Sequence, residues 1–488
     1  MPGRRSFKTD ESFLEKLAIG AIGARAVFAE LQRQGHTPIE LERGSMDYKI
    51  WKNIKIKRLR VPDLLCLNCG TRFEARAKTQ LEISMSHSLS DPERGWDKGL
   101  NDRDVVALSV CAKTGAGPTD WQANPLIQFI SAASLRRAFA EQRVISEKPK
   151  GAGEGFELRV TWPGAVASSD GIVSALTAER IQFKREPDQR TISLSLSKKN
   201  LPLQPLVNLG DKIRAGQIIA AVVPVTSALP CSATASPSSF LAMLASSAVA
   251  DRYTAAKALS HIGDSAASGA LTQRMTDERE HIYVRLEAAA GLARAGDPGG
   301  MAFIQQTLQG QYLEHRLEAV IILGEIPTDD SRKALSTVLL DPVQHAEIRA
   351  GAAWALGELQ QPSSVDALVQ VFLELAEPIR IEAARALRKI TATTTASVAA
   401  KLPAAQDDQR AGIAWAVSRS GRVKVDELLP LLVDDDARRW VAYILGTQDQ
   451  QACLGQIEQL RRRDPEVYFA VTVLWKILAS WICDLEEY

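Results

Sequence analysis

The chain contains 488 residues, of which 45% are hydrophobic, 24% charged and 6% aromatic. This composition excludes a wholly disordered, collagen-like or coiled-coil protein, and the length predicts about three domains. The net charge of +1 conceals an uneven distribution: residues 1–150 carry 25 Lys and Arg against 18 Asp and Glu, residues 151–235 carry 9 against 7, and the remainder carries 25 against 33. The amino-terminal third therefore suits a polyanionic partner, and the acidic remainder does not.

The sequence contains no recognisable targeting segment. It begins MPGRRSFKTDESF, without the apolar stretch of a signal peptide, and it has no run of 18 apolar residues. These features favour a soluble protein in the reducing cytoplasm. The six cysteines are Cys66, Cys69, Cys111, Cys231, Cys453 and Cys483, and only the first two have a suggestive spacing.

Residues 1–148 predict an α/β domain with a mixed sheet. Helical periodicity covers 11–35, and a short strand is predicted over 37–42. A long strand over 54–67 and another over 72–83 are joined by a tight turn. A polar loop over 84–104 carries His87, DRDVVALSVCA over 102–112 predicts a buried strand, and residues 125–142 predict a helix.

Two of the predicted strands carry acidic and basic side chains that suit phosphate chemistry. Because strand side chains alternate, Glu74, Arg76 and Lys78 share one face. If Asp63 points the same way, two carboxylates and a lysine converge. Two carboxylates bind a hard divalent cation such as Mg²⁺, which lowers the pKa of a bound water and stabilises charge on phosphate. The alternative is a half-exposed strand with a solvated charged face.

The segment VPDLL, the charged strand after it and the leading helix resemble the PD-(D/E)xK restriction-endonuclease-like superfamily, over residues 12–145. The resemblance implies that Asp63 and Glu74 are metal ligands, that Lys78 is the catalytic lysine, and that Glu15 or Glu30 adds a ligand. The sequence departs from the acid-x-Lys pattern: either Arg76 stands where the lysine belongs, or Arg76 occupies the acid position in an inactivated site. Gln80 lies on the same face.

A basic segment precedes the aspartate. Residues 49–60 contain a tryptophan and six basic side chains: Lys49, Lys52, Lys55, Lys57, Arg58 and Arg60. On a strand, Lys55 and Lys57 form a basic face that would bind a DNA or RNA backbone without reading its sequence. Edge-strand lysines that prevent aggregation are the alternative explanation.

Cys66 and Cys69 are followed by a glycine and resemble half of a zinc knuckle. Zinc normally takes four ligands, and the nearest unpaired candidates are Cys111 and His87. The alternative is a reduced, partly buried thiol pair. No thioredoxin-like context supports redox activity.

Residues 156–224 predict a small all-β module. Its D-G-x-V and later P-L-V-x-x-G-D-x-I-x-x-G-Q segments are similar to the barrel-sandwich hybrid of the bacterial RNA polymerase β subunit. Biotinyl and lipoyl carriers share the second motif, but Lys184 lacks the sequence context of their modified lysine. A docking or spacer role is therefore predicted. The matching residues are Asp170, Gly171, Val173, Arg180, Ile181, Gly210, Asp211, Gly216 and Gln217.

Residues 240–488 repeat themselves. An arginine followed by small and branched apolar residues recurs in steps of 33, 31, 33, 31, 30 and 28 residues, which predicts a stacked helical solenoid. The pattern resembles the HEAT-repeat family, in the short-repeat form also found in phycobilin lyases. The arginines are interpreted as structural, the solenoid as a surface for a protein partner, and 451–488 as a capping helix. The recurrent arginines are Arg252, Arg285, Arg316, Arg349, Arg380, Arg410 and Arg438.

The sequence thus predicts a multidomain Mg²⁺- or Mn²⁺-dependent DNA endonuclease with a HEAT-repeat arm, as in a bacterial DNA-processing or phage-defence system. One alternative is a non-enzymatic nucleic-acid-binding scaffold with a degenerate nuclease fold that docks on a protein such as the transcription machinery. A bilin-lyase-like solenoid enzyme is another, although no reactive acid or histidine stands out. No ATPase P-loop, hydrolase elbow or H-E-x-x-H motif is present.

Overall fold

The computed structural model describes residues 10–46, 54, 59–148, 157–186, 188–232, 235–421, 423–448, 455 and 457–485. Its residues form two compact units. The first comprises the described parts of 1–50 and 58–270, and the second those of 51–57 and 271–488. The first contains every described strand, and the second is built from helices.

In chain order the strands are β1 Pro38–Glu40, β2 Leu64–Cys66, β3 Arg72–Lys78, β4 Ile83–Ser88, β5 Val105–Lys113, β6 Trp121–Ala123, β7 Gln128–Ser131, β8 Ile145–Glu147, β9 Glu157–Trp162, β10 Gly164–Val166, β11 Gly171–Leu176, β12 Arg180–Arg185, β13 Thr191–Ser195, β14 Ser197–Lys198, β15 Leu201–Pro202, β16 Gln204–Pro205, β17 Lys212–Ile213 and β18 Ile218–Ala221.

The helices are α1 Asp10–Arg33, α2 Ala132–Ala140, α3 Pro237–Met243, α4 Val249–Ile262, α5 Ser268–Thr276, α6 Ile282–Arg294, α7 Pro298–Leu308, α8 Leu313–Gly324, α9 Asp329–Leu340, α10 Ala346–Leu359, α11 Val365–Gln370, α12 Glu377–Thr391, α13 Thr395–Ala399, α14 Asp407–Ser418, α15 Val425–Leu428, α16 Asp435–Gly446, α17 Leu460–Arg463 and α18 Pro465–Leu485. Short 3-10 turns lie at Pro92–Arg94, Ser265–Ala267, Pro362–Ser364, Val371–Leu373 and Leu429–Val433.

The central sheet of the first unit is mixed, as the sequence predicts. Its order is β1-β2-β3-β5-β6, with β7 also paired to β5. Strands β3 and β5 are parallel, and the other pairs are antiparallel. Two predicted elements differ. The long strand predicted over 54–67 is only β2 among the described residues, and the helix predicted over 125–142 begins with β7, because the Ser131 side chain caps α2 at Ala132.

Helix α1 covers one face of this sheet because small residues allow a close approach. A Cβ atom built on Gly23 would lie 2.5 Å from Ala77 Cβ and 2.6 Å from Ser109 Oγ. Further along the helix, Val27 and Leu31 pack with Phe73 in one buried cluster. The odd-numbered side chains of β3 therefore face α1, and Glu74, Arg76 and Lys78 lie on the opposite face.

Strand β4 forms part of the segment predicted as a polar loop over 84–104. It pairs with β9 from Ile83 opposite Trp162 to Ser88 opposite Glu157, and β8 joins the other edge of β9. One hydrophobic cluster then runs from Ile83 through Trp162 to Val223. Residues of the predicted domains 1–148 and 156–224 therefore share one hydrophobic core.

The β module beyond β9 consists of a four-stranded sheet, β13-β12-β11-β17, a three-stranded sheet, β10-β18-β16, and the β14-β15 pair. The motif residues singled out in its sequence shape its turns. Asp170 accepts a hydrogen bond from the Ala215 N–H at 2.7 Å, and Asp211 accepts one from the Asn208 N–H at 2.7 Å. Gly171 is required because a Cβ there would lie 2.4 Å from the Lys184 carbonyl oxygen.

The second unit is a helical-repeat solenoid, as predicted. The recurrent arginines hold successive repeats together. Arg349 Nε donates to the Leu339 carbonyl at 2.8 Å, and its guanidinium lies 2.7 Å from Glu374 of the following repeat. Arg410 makes the equivalent bond to the Leu402 carbonyl at 3.0 Å. Arg349 and Arg410 therefore make the structural contacts that the sequence predicts for the recurrent arginine.

Glycine and alanine let the helices of neighbouring repeats approach closely. A Cβ on Gly324 would lie 2.9 Å from Ala355 Cβ, and one on Gly357 would lie 2.8 Å from Ala386 Cβ. The segment predicted as a capping helix over 451–488 contains α17 and α18 among its described residues, and Trp475 Nε1 of α18 donates to the Gln448 carbonyl at 3.1 Å. None of the described helices combines the length and apolarity needed to cross a membrane.

Candidate functional site

The β2–β3 hairpin brings the two predicted carboxylates into one region. Its antiparallel pairs are Leu64 with Phe73 and Leu65 with Arg72, and Asp63 lies just before the paired part of β2. Leu64 and Phe73 are buried on the α1 side of the sheet. Because strand side chains alternate, Glu74 and Lys78 lie on the opposite face of β3 from Phe73.

Asp63 is fixed by backbone hydrogen bonds. Its Oδ2 accepts from the Ala75 N–H at 2.7 Å, and its carbonyl oxygen accepts from the Leu41 N–H at 2.7 Å. Burial raises the pKa of Asp63 well above its ordinary value, and the charges of Glu74 and Glu42 raise it further. Burial also raises the pKa of Glu74, against the opposing effect of Arg76. The half-buried pair resists carrying two negative charges, which a divalent cation would offset.

The two basic side chains of β3 have different partners. Arg76 forms an ion pair with Glu74 at 2.8 Å, whereas Lys78 Nζ donates to the Ser84 carbonyl at 2.7 Å and to its hydroxyl at 3.3 Å. Burial lowers the pKa of Lys78 to about 8, and the charges of Arg76 and Arg159 act in the same direction. The cation directly paired with the acid is therefore Arg76, which is the residue that departs from the superfamily pattern.

The lowered pKa of Lys78 makes stability depend on pH. Between about 8 and the ordinary value of 10.5, the unfolded chain holds a proton on this amine that the folded chain has lost. We therefore expect the free energy of unfolding of the wild type, relative to a Lys78→Met variant, to rise across this interval and to be flat below it. Urea unfolding at a series of pH values measures the difference, and a constant difference would contradict the lowered pKa.

The acids predicted on the leading helix do not join this site. Glu15 pairs with Lys113 at 3.2 Å, and Glu30 pairs with Arg33 at 2.5 Å. Because α1 packs on the Ala77 face of the sheet, these carboxylates lie on the other side from Glu74. The prediction that Glu15 or Glu30 adds a ligand is therefore wrong for this arrangement.

Most of the basic segment predicted over 49–60 lies outside the residues that the structure describes. Lys49, Lys52, Lys55, Lys57 and Arg58 lie outside the described residues. Ile54 is buried and not in a strand, and its N–H donates to Glu347 at 2.8 Å. Arg60 is exposed, and its charge lowers the pKa of Glu74. Of the predicted nucleic-acid-binding residues, the structure places Arg60 near the candidate site.

A second cluster forms around Cys66 and Cys69. Their sulfur atoms, Cys231 Sγ and a ring nitrogen of His36 all lie within 4.8 Å of one another. A hydrogen bond from the Cys66 thiol lowers the pKa of Cys69 to about 4 and raises that of Cys66. The residues that join the cysteine pair are His36 and Cys231, not the Cys111 and His87 suggested by the sequence.

The residues suggested earlier as partners of the cysteine pair lie elsewhere. The Cys111 thiol is 3.9 Å from the Ile19 carbonyl oxygen, and His87 Nδ1 accepts from the Trp96 N–H at 3.4 Å. His36 and Cys231 were missed because neither belongs to a local motif. The only sequence signal was that both lie in connecting segments beside an element boundary.

Comparison with known proteins finds similarity in the repeats. Residues 300–388 match HEAT repeats. Deoxyhypusine hydroxylase-B of Oryza sativa subsp. japonica is 30% identical over 109 residues, which cover 22% of this chain and 36% of that protein. This chain thus spans about a third of the length of that curated relative.

Solved structures also resemble parts of the chain. The complex of CpcE and CpcF of phycocyanin lyase from Nostoc sp. matches with 20% identity over 50% of this chain and 95% of that chain, with a TM-score of 0.26. Human deoxyhypusine hydroxylase in complex with glycerol matches with 18% identity over 44% and 97%, with a TM-score of 0.21. The assignment to HEAT repeats depends on the match of residues 300–388.

Proposed function

We propose that the first unit is a divalent-metal-dependent nuclease that cleaves DNA, with a site of the PD-(D/E)xK kind, and that the HEAT-repeat unit binds a protein partner. The observation that supports the proposal is the hydrogen bond from the Ala75 N–H to Asp63 Oδ2 at 2.7 Å, which brings this carboxylate to the backbone of β3 beside Glu74. The excess of basic residues in the first 150 residues also suits a polyanionic substrate.

The donor set suits a hard cation. Asp63 and Glu74 offer carboxylate oxygens, which Mg²⁺ and Mn²⁺ prefer, and both have raised pKa values that a cation would lower. When bound, the metal would activate a water molecule and stabilise charge on the phosphate. Lys78 would orient the attacking water from the same face, and Arg76 would stabilise the charge of Glu74 and nearby phosphate oxygens.

The solenoid exposes three apolar side chains to a partner. Val343, Leu375 and Val433 are each more than 90% exposed, and each lies shortly before a helix that carries a recurrent arginine. The corresponding residue before Arg410 is Ala405, which is buried, so the three side chains form separate contact points. Together with the acidic balance of residues 236–488, they favour a protein segment with spaced apolar side chains and flanking basic residues.

A cleavage assay tests the nuclease proposal. The purified full chain is incubated with plasmid and Mg²⁺ or Mn²⁺, beside Asp63→Asn, Glu74→Gln and Lys78→Met variants. We expect the wild type to cut the plasmid, and each variant to lose about 10²-fold or more in rate, since each removes a group that acts on the reacting centre.

Matched controls are Glu147→Gln and Lys199→Met, which change an exposed ion pair of the same unit. These variants should cut within about twofold of the wild type. Equal cleavage by the wild type and all variants would show that Asp63, Glu74 and Lys78 do not form the catalytic site. Binding of DNA without cleavage, with or without metal, would contradict the proposed nuclease activity. It would support the alternative of a non-enzymatic nucleic-acid-binding scaffold, in which the Glu74–Arg76 ion pair replaces the metal. The β module would then serve the docking role that its similarity to the polymerase segment implies.

A further inference from the structure

Three separate segments of the first unit bring four metal-binding side chains together. His36 follows α1, Cys66 and Cys69 flank the turn between β2 and β3, and Cys231 lies in the segment before α3. Their donor atoms are all within 4.8 Å of one another. This cluster is separate from the carboxylates, because Cys66 and Cys69 belong to the far end of the hairpin that begins at Asp63.

Two of the six separations between donor atoms match the edges of a tetrahedral zinc site. With Zn–S near 2.3 Å and Zn–N near 2.05 Å, the edge between two sulfur atoms is about 3.8 Å and the edge between sulfur and nitrogen about 3.6 Å. The observed Cys66–Cys231 sulfur separation is 3.9 Å, and Cys69 Sγ lies 3.6 Å from His36 Nδ1. None of the three cysteines of the cluster forms a disulfide bond.

The histidine ring is oriented for metal binding. Its Nε2 donates to the Leu229 carbonyl oxygen at 2.7 Å, which leaves the lone pair of Nδ1 towards the sulfur atoms. A backbone carbonyl on the far nitrogen is the usual support of a metal-binding imidazole. The edge of Phe73 packs on the ring, with centroids 5.4 Å apart, and His36 is only 6% exposed. The ring is thus held in place before any metal binds.

The turn that carries the cysteine pair is also preformed. The Gly70 N–H donates to the Cys66 carbonyl at 2.9 Å, and the Cys66 N–H donates to the Thr71 carbonyl at 2.9 Å. Gly70 has a φ of +71°, which a residue with a side chain rarely adopts. This conformation turns both thiols to the same side.

Gln34 brings the third segment into place. Its side-chain Nε2 donates to the Ser227 carbonyl at 2.9 Å, its Oε1 accepts from the Leu229 N–H at 2.5 Å, and its own carbonyl accepts from the Cys231 N–H at 3.4 Å. The Ala235 N–H then donates to the Asn68 carbonyl at 2.8 Å. The chain around Cys231 is therefore fixed to both other segments by bonds that do not involve the thiol.

We propose that His36 Nδ1 and the thiolates of Cys66, Cys69 and Cys231 bind one Zn²⁺, and that this zinc holds the segment 227–232 against the sheet. Four protein ligands leave no open position for water or substrate, so the site is structural. Soft thiolates favour zinc over Mg²⁺, which separates this site chemically from the carboxylate pair. Zinc therefore closes the loop between chain segments almost 200 residues apart.

Metal analysis of the full chain tests the proposal. We expect about one zinc per chain in wild-type protein purified without chelators, and below about 0.2 per chain in Cys231→Ser, because loss of a ligand opens the tetrahedron. Cys111→Ser is the matched control, since that buried cysteine lies outside the cluster, and it should keep the full equivalent. Asp63→Asn should also keep its zinc, which separates this site from the proposed nuclease.

Two readouts on the wild-type chain do not depend on how a variant folds. Replacing the metal by Co²⁺ should give the visible absorption of a tetrahedral site with thiolate ligands. Chelation should open the backbone near 227–232 to limited proteolysis. A wild-type chain that is folded, zinc-supplemented and still metal-free would overturn the proposal. Cys231→Ser with a full equivalent of zinc would overturn it as well.

Discussion

Replacing Arg72 by alanine is expected to lower the free energy of unfolding of the first unit by about 3–5 kcal/mol, because a buried acid loses its partner. Arg72 Nε and one terminal nitrogen donate to the two Asp104 oxygens at 2.9 and 2.7 Å, and the two side chains are 5% and 2% exposed. Arg72 also lies 3.6 Å from Asp251 of α4. The substitution therefore leaves the buried Asp104 carboxylate without its arginine partner, between β3, the start of β5 and α4.

Hydrogen exchange of peptides from β3 and β5 during urea unfolding measures this loss separately from the solenoid. The control is Arg185→Ala, which breaks an exposed pair with Asp188. Exposed pairs contribute about 0–1 kcal/mol, so the control should change stability within that range. An Arg72→Ala effect as small as that of the control would show that the buried pair is not a structural centre of the unit.

Two glycines of α1 are expected to respond to alanine with opposite signs. At Gly23 the new methyl group would lie 2.5 Å from Ala77 Cβ, so the helix must move off the sheet, at a cost of about 1–3 kcal/mol. At Gly20 no atom lies within 4 Å, and alanine should stabilise the helix by about 0.5–1 kcal/mol.

Thermal unfolding of the two variants measures this contrast. The substitutions have the same chemistry and lie three residues apart on the same helix, so helix propensity cancels between them. A Gly23→Ala protein as stable as Gly20→Ala would show that α1 does not depend on a close approach to β3 and β5.

Local patterns predicted the solenoid well. The period near 31 residues and the recurrent arginine were sufficient, because each repeat contacts only its neighbours. The arginine role followed from the same periodicity, and Arg349 makes the carbonyl and acid contacts expected of it.

The amino-terminal unit was predicted less completely because its contacts are distant in sequence. The pairing of β4 with β9 joins residues 69 to 79 positions apart, and SMSHS alone predicts a polar loop. Strand alternation was enough to place Glu74 and Lys78 on one face, whereas the hydrogen bond of Asp63 to the Ala75 N–H could not be read from spacing. The engagement of Arg76 with Glu74 and of Lys78 with Ser84 depends on side-chain packing that spacing does not encode.

The ligands of the proposed zinc site were still harder to predict from the sequence, because they come from three distant segments. Cys66 and Cys69 were visible as a pair, but Cys231 is 165 positions beyond Cys66, and His36 is 30 before it. Local spacing identifies ligands contributed by one hairpin, and it cannot identify those contributed by segments that meet only in the folded chain.

The hydrophobic cluster that runs from Ile83 to Val223 has an evolutionary consequence. The Trp162 ring packs on Trp96 at 4.9 Å between centroids, and its Nε1 donates to the Leu135 carbonyl at 3.0 Å. A gene rearrangement that passed on the predicted nuclease portion without the β portion would leave this aromatic contact surface open to water. The two portions should consequently be inherited together, and only the repeat array is free to lengthen or shorten by whole units.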